Sequence, residues 1–281
     1  MEAVRKGLLL WSNFVLPALL PFMISVNLLK STPFPFILSK FLSPVTNRLF
    51  GISSYGIFAV ISGLLSGYPI GAKLVSELYT EKKITKKEAN YLLSFTNNSG
   101  PLFITGTLGA GLLKDTKAGI FLLGIHYISA LLIGIFLPKP KTKITYSFSY
   151  QDFNVGRELK KSIYNGIESI VMVGGYIIFF SIICTLLQTF TAEHSLNPYI
   201  KGIIFGFLEI TNGCKELTNI NPLSLSLISG ITAFGGLSVH SQSLGYISTT
   251  DLSSLRYIFF KLIHGFIAFI LCFLLYPLYA Q

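Results

Sequence analysis

The chain has 281 residues, of which 51% are apolar and only 12% charged, and its mean hydropathy is +0.63. Soluble domains carry about a quarter charged residues, so this composition excludes a water-soluble globule, a disordered chain and a fibrous protein, and leaves an integral membrane protein. The net charge of +10 then reads as basic loops that orient helices and touch anionic lipid, with no nucleic acid as partner.

At about 20 residues per passage the chain holds one bundle and leaves no room for a separate soluble catalytic domain. Arg5 and Lys6 precede an apolar run that continues past Pro17 and Pro21 to Leu29 without a small-residue cleavage site, so a retained helix is expected over 7–29. Further uninterrupted apolar spans, expected as simple helices, cover 118–137, 163–189 and 255–279. Between Thr32 and Phe50, three prolines with Lys40 and Arg48 interrupt a Phe-rich stretch that is expected to lie along the interface.

The remaining segments each break in the middle. Residues 55–78 are divided at Gly67-Tyr68-Pro69, 89–113 at Asn97-Asn98-Ser99-Gly100-Pro101, and 223–247 at Phe234-Gly235-Gly236-Leu237-Ser238. Backbone that leaves a helix at membrane depth must find partners in protein or in a wet cavity, so these breaks are expected to point inward. The one long polar stretch, 138–160, is read as a cytoplasmic linker between a first transmembrane repeat, 1–137, and a second, 161–281. A shift of about 142 residues superposes Gly71 on Gly213 and Lys73 on Lys215, and each half places a Gly-x-Lys segment before a broken helix, the pattern that marks a transporter's midplane site. If the Gly-x-Lys segments are re-entrant hairpins, each half crosses three times and the repeats are inverted. That arrangement puts about 14 basic residues inside against about 5 outside, whereas full crossings give about 12 against 7. The fold class is thus all-α and polytopic, with broken helices and two repeats, which are inverted if the Gly-x-Lys segments are re-entrant hairpins rather than full crossings.

Half-helices that start within the membrane offer free N–H groups and partial positive charge to carboxylate or phosphate. Asn97, Asn98, Ser99 and Gly100 supply such a start in the first half, and Gly235, Gly236 and Ser238 in the second. Lys73 and Lys215 offer two cationic points, or else snorkel at segment ends. Glu209, an acidic residue in an apolar segment, is the candidate for a coupling proton or sodium, or for pairing with Lys215. Glu168 is either a second buried carboxylate or a group at a helix mouth. His126, His240 and His264 stand isolated in the sequence, His240 drawing attention because it lies with Gln242 inside a broken segment. No nucleophile elbow or metal-ligand motif is present, and Cys184, Cys214 and Cys272 are widely spaced, so neither catalytic residues, metal nor cofactor is expected.

SGYPIGAKLVSELY (66–79), ITKKEANYLLSFTNNSGPLFITGTLG (84–109), GFLEITNG (206–213) and FGGLSVHSQ (234–242) together resemble the sporulation integral membrane protein YlbJ family, within a wider group bearing nucleoside-recognition, or Gate, domains. The likeness covers most of the chain. It implies a spore-forming bacterium and a protein of the outer forespore membrane that moves dipicolinic acid. That substrate is a planar dianion; opposed half-helix N-termini and two lysines would suit its carboxylates, and Tyr68, Phe95, Phe103 and Phe234 would wall its ring. The alternatives are a transporter of nucleosides or other small solutes, in which Asn97, Asn98 and Gln242 read hydroxyls and base edges, and a membrane scaffold in spore assembly.

Overall fold

The computed structural model describes residues 2–142, 154–192 and 196–281, so the middle of the expected linker lies outside the described residues. The described residues form helices and connecting loops, with no strand among them. Four helices are long and apolar enough to cross a membrane, or up to six if each of two bent pairs is one span. The protein is an integral membrane protein.

The chain's direction can be followed through its contacts. The first span is not one simple helix: α1 (Glu2–Leu10) widens into a π-helical turn, π1 (Trp11–Val15), and continues as α2 (Leu16–Lys30), with a bend of 51°. Pro17 and Pro21, which remove helix N–H donors, follow that bend in α2. This bent helix runs antiparallel to α8 (Val155–Ala192): Gly7 lies against Ile178, the Trp11 indole donates to the Ile170 carbonyl at 2.9 Å, and Gly166 lies against Ile24. The Phe-rich stretch is a helix, α3 (Phe34–Leu49), turned by 91° from α4 (Ser54–Ser66), so it crosses the direction of its neighbour.

Helix α4 and helix α5 (Ile70–Thr80) form a hairpin whose two open ends lie together, with the Lys83 ammonium 5.1 Å above the Tyr55 ring. The tip is Gly67-Tyr68-Pro69, where Gly67 has φ +87° and the Tyr68-Pro69 bond is cis. A positive φ of this size strains any residue with a Cβ, which is why glycine ends α4. Helix α6 (Lys86–Leu93) starts beside the hairpin's open end, breaks over 94–101, and resumes as a π-helix, π2 (Leu102–Leu113). Helix α7 (Thr116–Phe136) returns, with Gly119 against Gly109 near its start and Gly134 accepting from the Tyr91 hydroxyl near its end.

The second half again contains a hairpin, an interrupted helix and a closing helix. Helices α9 (Pro198–Leu208) and α10 (Ile210–Lys215) form a hairpin so close that a Cβ on Gly213 would stand 2.3 Å from the Gly206 Cα. Helix α11 (Pro222–Phe234) breaks at Gly235 (φ +101°) and Gly236 (φ +67°), then continues as α12 (Gly236–Ile247) to the end where Asp251 bridges Lys86 at 2.7 Å. Helix α13 (Ser254–Ala280) runs back until Tyr279 donates to Asp115 at 2.6 Å. Starts are fixed locally: Ser53, Thr85, Asp115, Asn221 and Ser253 each cap a first turn by accepting a backbone N–H.

The first hairpin therefore opens at the Lys86–Asp251 end and the second at the Asp115–Tyr279 end. Two cysteine substitutions test this: Lys82→Cys and Lys215→Cys should react with an impermeant thiol reagent from opposite faces of a vesicle. Labelling of both from one face would overturn the tracing. Gly213→Leu should lower the unfolding midpoint, since forcing side-chain atoms into a filled backbone contact costs about 1–3 kcal/mol or more.

Candidate functional site

The breaks converge. A Cβ on Gly67 would stand 2.9 Å from the Gly100 nitrogen, and one on Gly63 or Gly71 would run into the Thr96 carbonyl, so the first hairpin is seated against the break between α6 and π2 backbone to backbone. In the second half the hairpin tip meets the other break, with Gly236 against the Gly206 and Leu208 carbonyls. Glycine is required at these positions because any side chain would wedge the two elements apart.

A cavity of about 160 Å³ lies where the two systems face each other. Tyr68, Ser99, Gly100 and Phe103 wall it from the first half, and Glu209, Thr211, Ser238 and Gln242 from the second. Neither Pro101 before π2 nor Gly235 before α12 provides a side-chain cap, and the Phe103 and Ile104 N–H groups of π2 both donate to the Gly100 carbonyl at 3.2 Å. A second, more polar cavity of about 340 Å³ extends toward the Lys86–Asp251 end, lined by Lys73, Glu77, Asn165, Glu168, Tyr246 and Thr249 among others. Val173 and Gln242 belong to both walls. The two spaces are thus separated by side chains rather than by a helix.

Beside the first cavity lies a residue the sequence did not single out. Lys261 in α13 is 1% exposed, and no carboxylate stands within ion-pair distance of it among the described residues. Its ammonium donates to the Tyr68 hydroxyl at 2.9 Å, the Asn97 carbonyl at 3.0 Å and His264 Nδ1 at 3.1 Å. Tyr68 lies within donating distance of the Thr232 and Ala233 carbonyls, at 3.1 and 3.2 Å. The tautomers follow from the partners. His264 Nε2 faces the His126 carbonyl at 3.1 Å, which only accepts, so Nε2 carries the proton and Nδ1 offers a lone pair to Lys261. The Ser99 N–H donates to His126 Nε2 at 3.0 Å, which fixes that ring in the opposite tautomer. Three lone pairs therefore meet the three protons of an ammonium. Its sequence signal was available: one lysine within an apolar span, with a histidine three residues later on the same helix face.

The other expected residues divide. Asn97 is a structural hub, accepting from Ala72 N at 3.2 Å and donating to Ser243 and Tyr257 at 2.8 and 2.9 Å. Asn98 is buried and donates to the Phe95 carbonyl at 2.8 Å. His240 is packed between Phe234 and Tyr257 with no hydrogen bond to either ring nitrogen. His126 and His264, isolated in sequence, are neighbours with ring centroids 4.8 Å apart. Of the aromatic wall, Tyr68 and Phe103 line the cavity, whereas Phe95 stacks on Phe50 and Phe234 on Phe207. Glu168 is exposed and lines the second cavity, the mouth position of its two readings.

The two lysines are not brought together. Lys73 is bound to Glu77 at 2.5 Å, and Glu77 with Glu81 also holds Lys30, at 2.6 and 2.7 Å. Burial makes such charges costly unless paired, and this network pairs them. Lys215 is exposed at the end of α10 and lines neither cavity. Glu209 does not pair with it: the carboxylate caps α10, accepting from Thr211 N at 3.0 Å and from Asn212 N and Nδ2 at 2.9 Å each. The break that sequence could not place falls at Glu209 itself, extended between α9 and α10.

Comparison with known proteins decides the family. The chain is 30% identical to the sporulation integral membrane protein YlbJ of Bacillus subtilis (strain 168), over 99% of this chain and 78% of that protein. The chain belongs to the YlbJ family. No protein-family profile matches it, so a place in the wider group with nucleoside-recognition domains rests on the sequence motifs alone. No solved structure matches it.

Tyr68→Phe should leave the fold intact yet lower the unfolding midpoint, because it removes the hydroxyl between Lys261 and the Thr232 and Ala233 carbonyls. The expected cost is about 1–3 kcal/mol for buried groups left unsatisfied, read as a shift in thermal melting of the detergent-solubilised protein.

Proposed function

We propose that this protein is a carrier, not an enzyme, and that it moves dipicolinate across the outer forespore membrane of a spore-forming bacterium. The observation that supports this reading is the cavity walled by broken helices from both halves, into which Ser99, Gly100 and Ser238 project at the uncapped starts of π2 and α12. Half-helix N-termini favour anions, and Tyr68 and Phe103 suit the faces of a planar ring. Opposite succession of hairpin, broken helix and closing helix in the two halves is the arrangement expected of inverted repeats. Such repeats alternate access around a fixed midplane site, with lipid around the bundle and a small anionic solute within. Gln242, in the wall between the two cavities, would orient the solute on its way in.

The test is uptake of labelled dipicolinate by proteoliposomes, with uridine as the competing solute. Dipicolinate should enter and uridine should not. Entry of uridine alone would replace the acid with a nucleoside, and flux of neither would favour a scaffold. Gln242→Leu should reduce dipicolinate uptake about tenfold, the equivalent of ~1.4 kcal/mol, whereas Lys215→Gln, distant from both cavities, should leave it unchanged.

A further inference from the structure

In transporters with broken helices, unwound carbonyls and half-helix C-termini hold the coupling cation, because the backbone dipoles there point negative ends at one spot. Here the corresponding spot is filled. The Asn97 carbonyl follows the end of α6, the Thr232 and Ala233 carbonyls belong to the last turn of α11, and the Tyr68 hydroxyl stands between the two ends. Into this oxygen-rich crossing comes the Lys261 ammonium, on an uninterrupted helix. We propose that Lys261 is a tethered cation that occupies the place of a coupling metal ion, so that the protein neither binds nor requires sodium.

Three observations carry this. The ammonium has three acceptors and no counter-carboxylate among the described residues, so it is held by an unwound carbonyl, a hydroxyl and a ring nitrogen and not by an ion pair. It joins the first half to the second, since Asn97 and Tyr68 come from one and Lys261 from the other. Glu209, the acidic group of the cavity wall, is engaged with its own hairpin through Thr211 and Asn212 and is not held free for a mobile cation. The inference deepens the carrier reading and rests on it only where flux is measured.

The experiment compares wild-type protein and Lys261→Ser in detergent, in sodium, choline and ethylammonium chlorides at equal ionic strength. Wild type should melt at one temperature in all three. Lys261→Ser should melt lower, and ethylammonium, which restores the missing charge on a short stem, should raise its midpoint by about 2 °C or more while leaving wild type unmoved. Wild-type protein stabilised by sodium over choline would overturn the proposal. So would a Lys261→Ser protein as stable as wild type and indifferent to ethylammonium. Should that variant fail to accumulate, wild-type melting and the replacement of sodium by choline in the uptake assay decide: sodium dependence in either overturns it, and independence in both upholds it. If no solute is transported at all, the melting comparison still stands, so failure of the carrier reading and failure of this one are distinguishable.

Discussion

Two helices that stop inside a membrane leave carbonyl groups with no intrahelical partner, and lipid supplies none. One ammonium resolves much of this. Lys261 binds the Asn97 carbonyl in the break after α6 directly and reaches the end of α11 through the Tyr68 hydroxyl, while His264 and His126 carry the hydrogen bonding on to the Ser99 N–H ahead of π2. The ends and beginnings of the breaks are thereby tied into one polar cluster, and the glycine contacts at Gly63, Gly67 and Gly71 bring the first hairpin close enough to take part.

The cavity follows from this arrangement. The Asn97, Thr232 and Ala233 carbonyls are occupied by Lys261 and Tyr68, and residues at the starts of π2 and α12, which lack a side-chain cap, face the cavity. The walls between are largely apolar, with Phe103 and Val239 among them, and the polar groups present are few and neutral apart from Glu209. Such a space selects by shape and by a small number of placed donors. In the neighbouring cavity Lys73 and Glu77 pair with one another, and Glu168 adds a further carboxylate to the wall.

Much of the architecture could be read before any coordinates. Gly-Tyr-Pro, Asn-Asn-Ser-Gly-Pro and Gly-Gly are backbone instructions, and each marked a real interruption because these residues act through local φ and missing N–H groups. Seven of the expected residues, Tyr68, Ser99, Gly100, Phe103, Glu209, Ser238 and Gln242, do line the central cavity. Side-chain partnership was less legible. Lys73 reads as a free ligand only if Glu77, one turn along the same helix, is left out, and Lys215 reads as its equivalent only because a superposition of weakly similar segments says nothing about exposure. Lys261 was missed for the reverse reason: α13 reads as an unbroken apolar span, and only tertiary contact shows which face of it meets the breaks.

The two hairpins are unequally anchored. In the first, eight of the eleven residues of α5 are buried and Lys30 straps its outer end to α2 through two carboxylates. In the second, only Gly202, Phe205 and Gly206 of α9 are buried, and α10 is a helix of six residues. Local opening costs least where little apolar surface is covered. Of these two doors one leaf is bolted to the frame, and the other is expected to swing more readily.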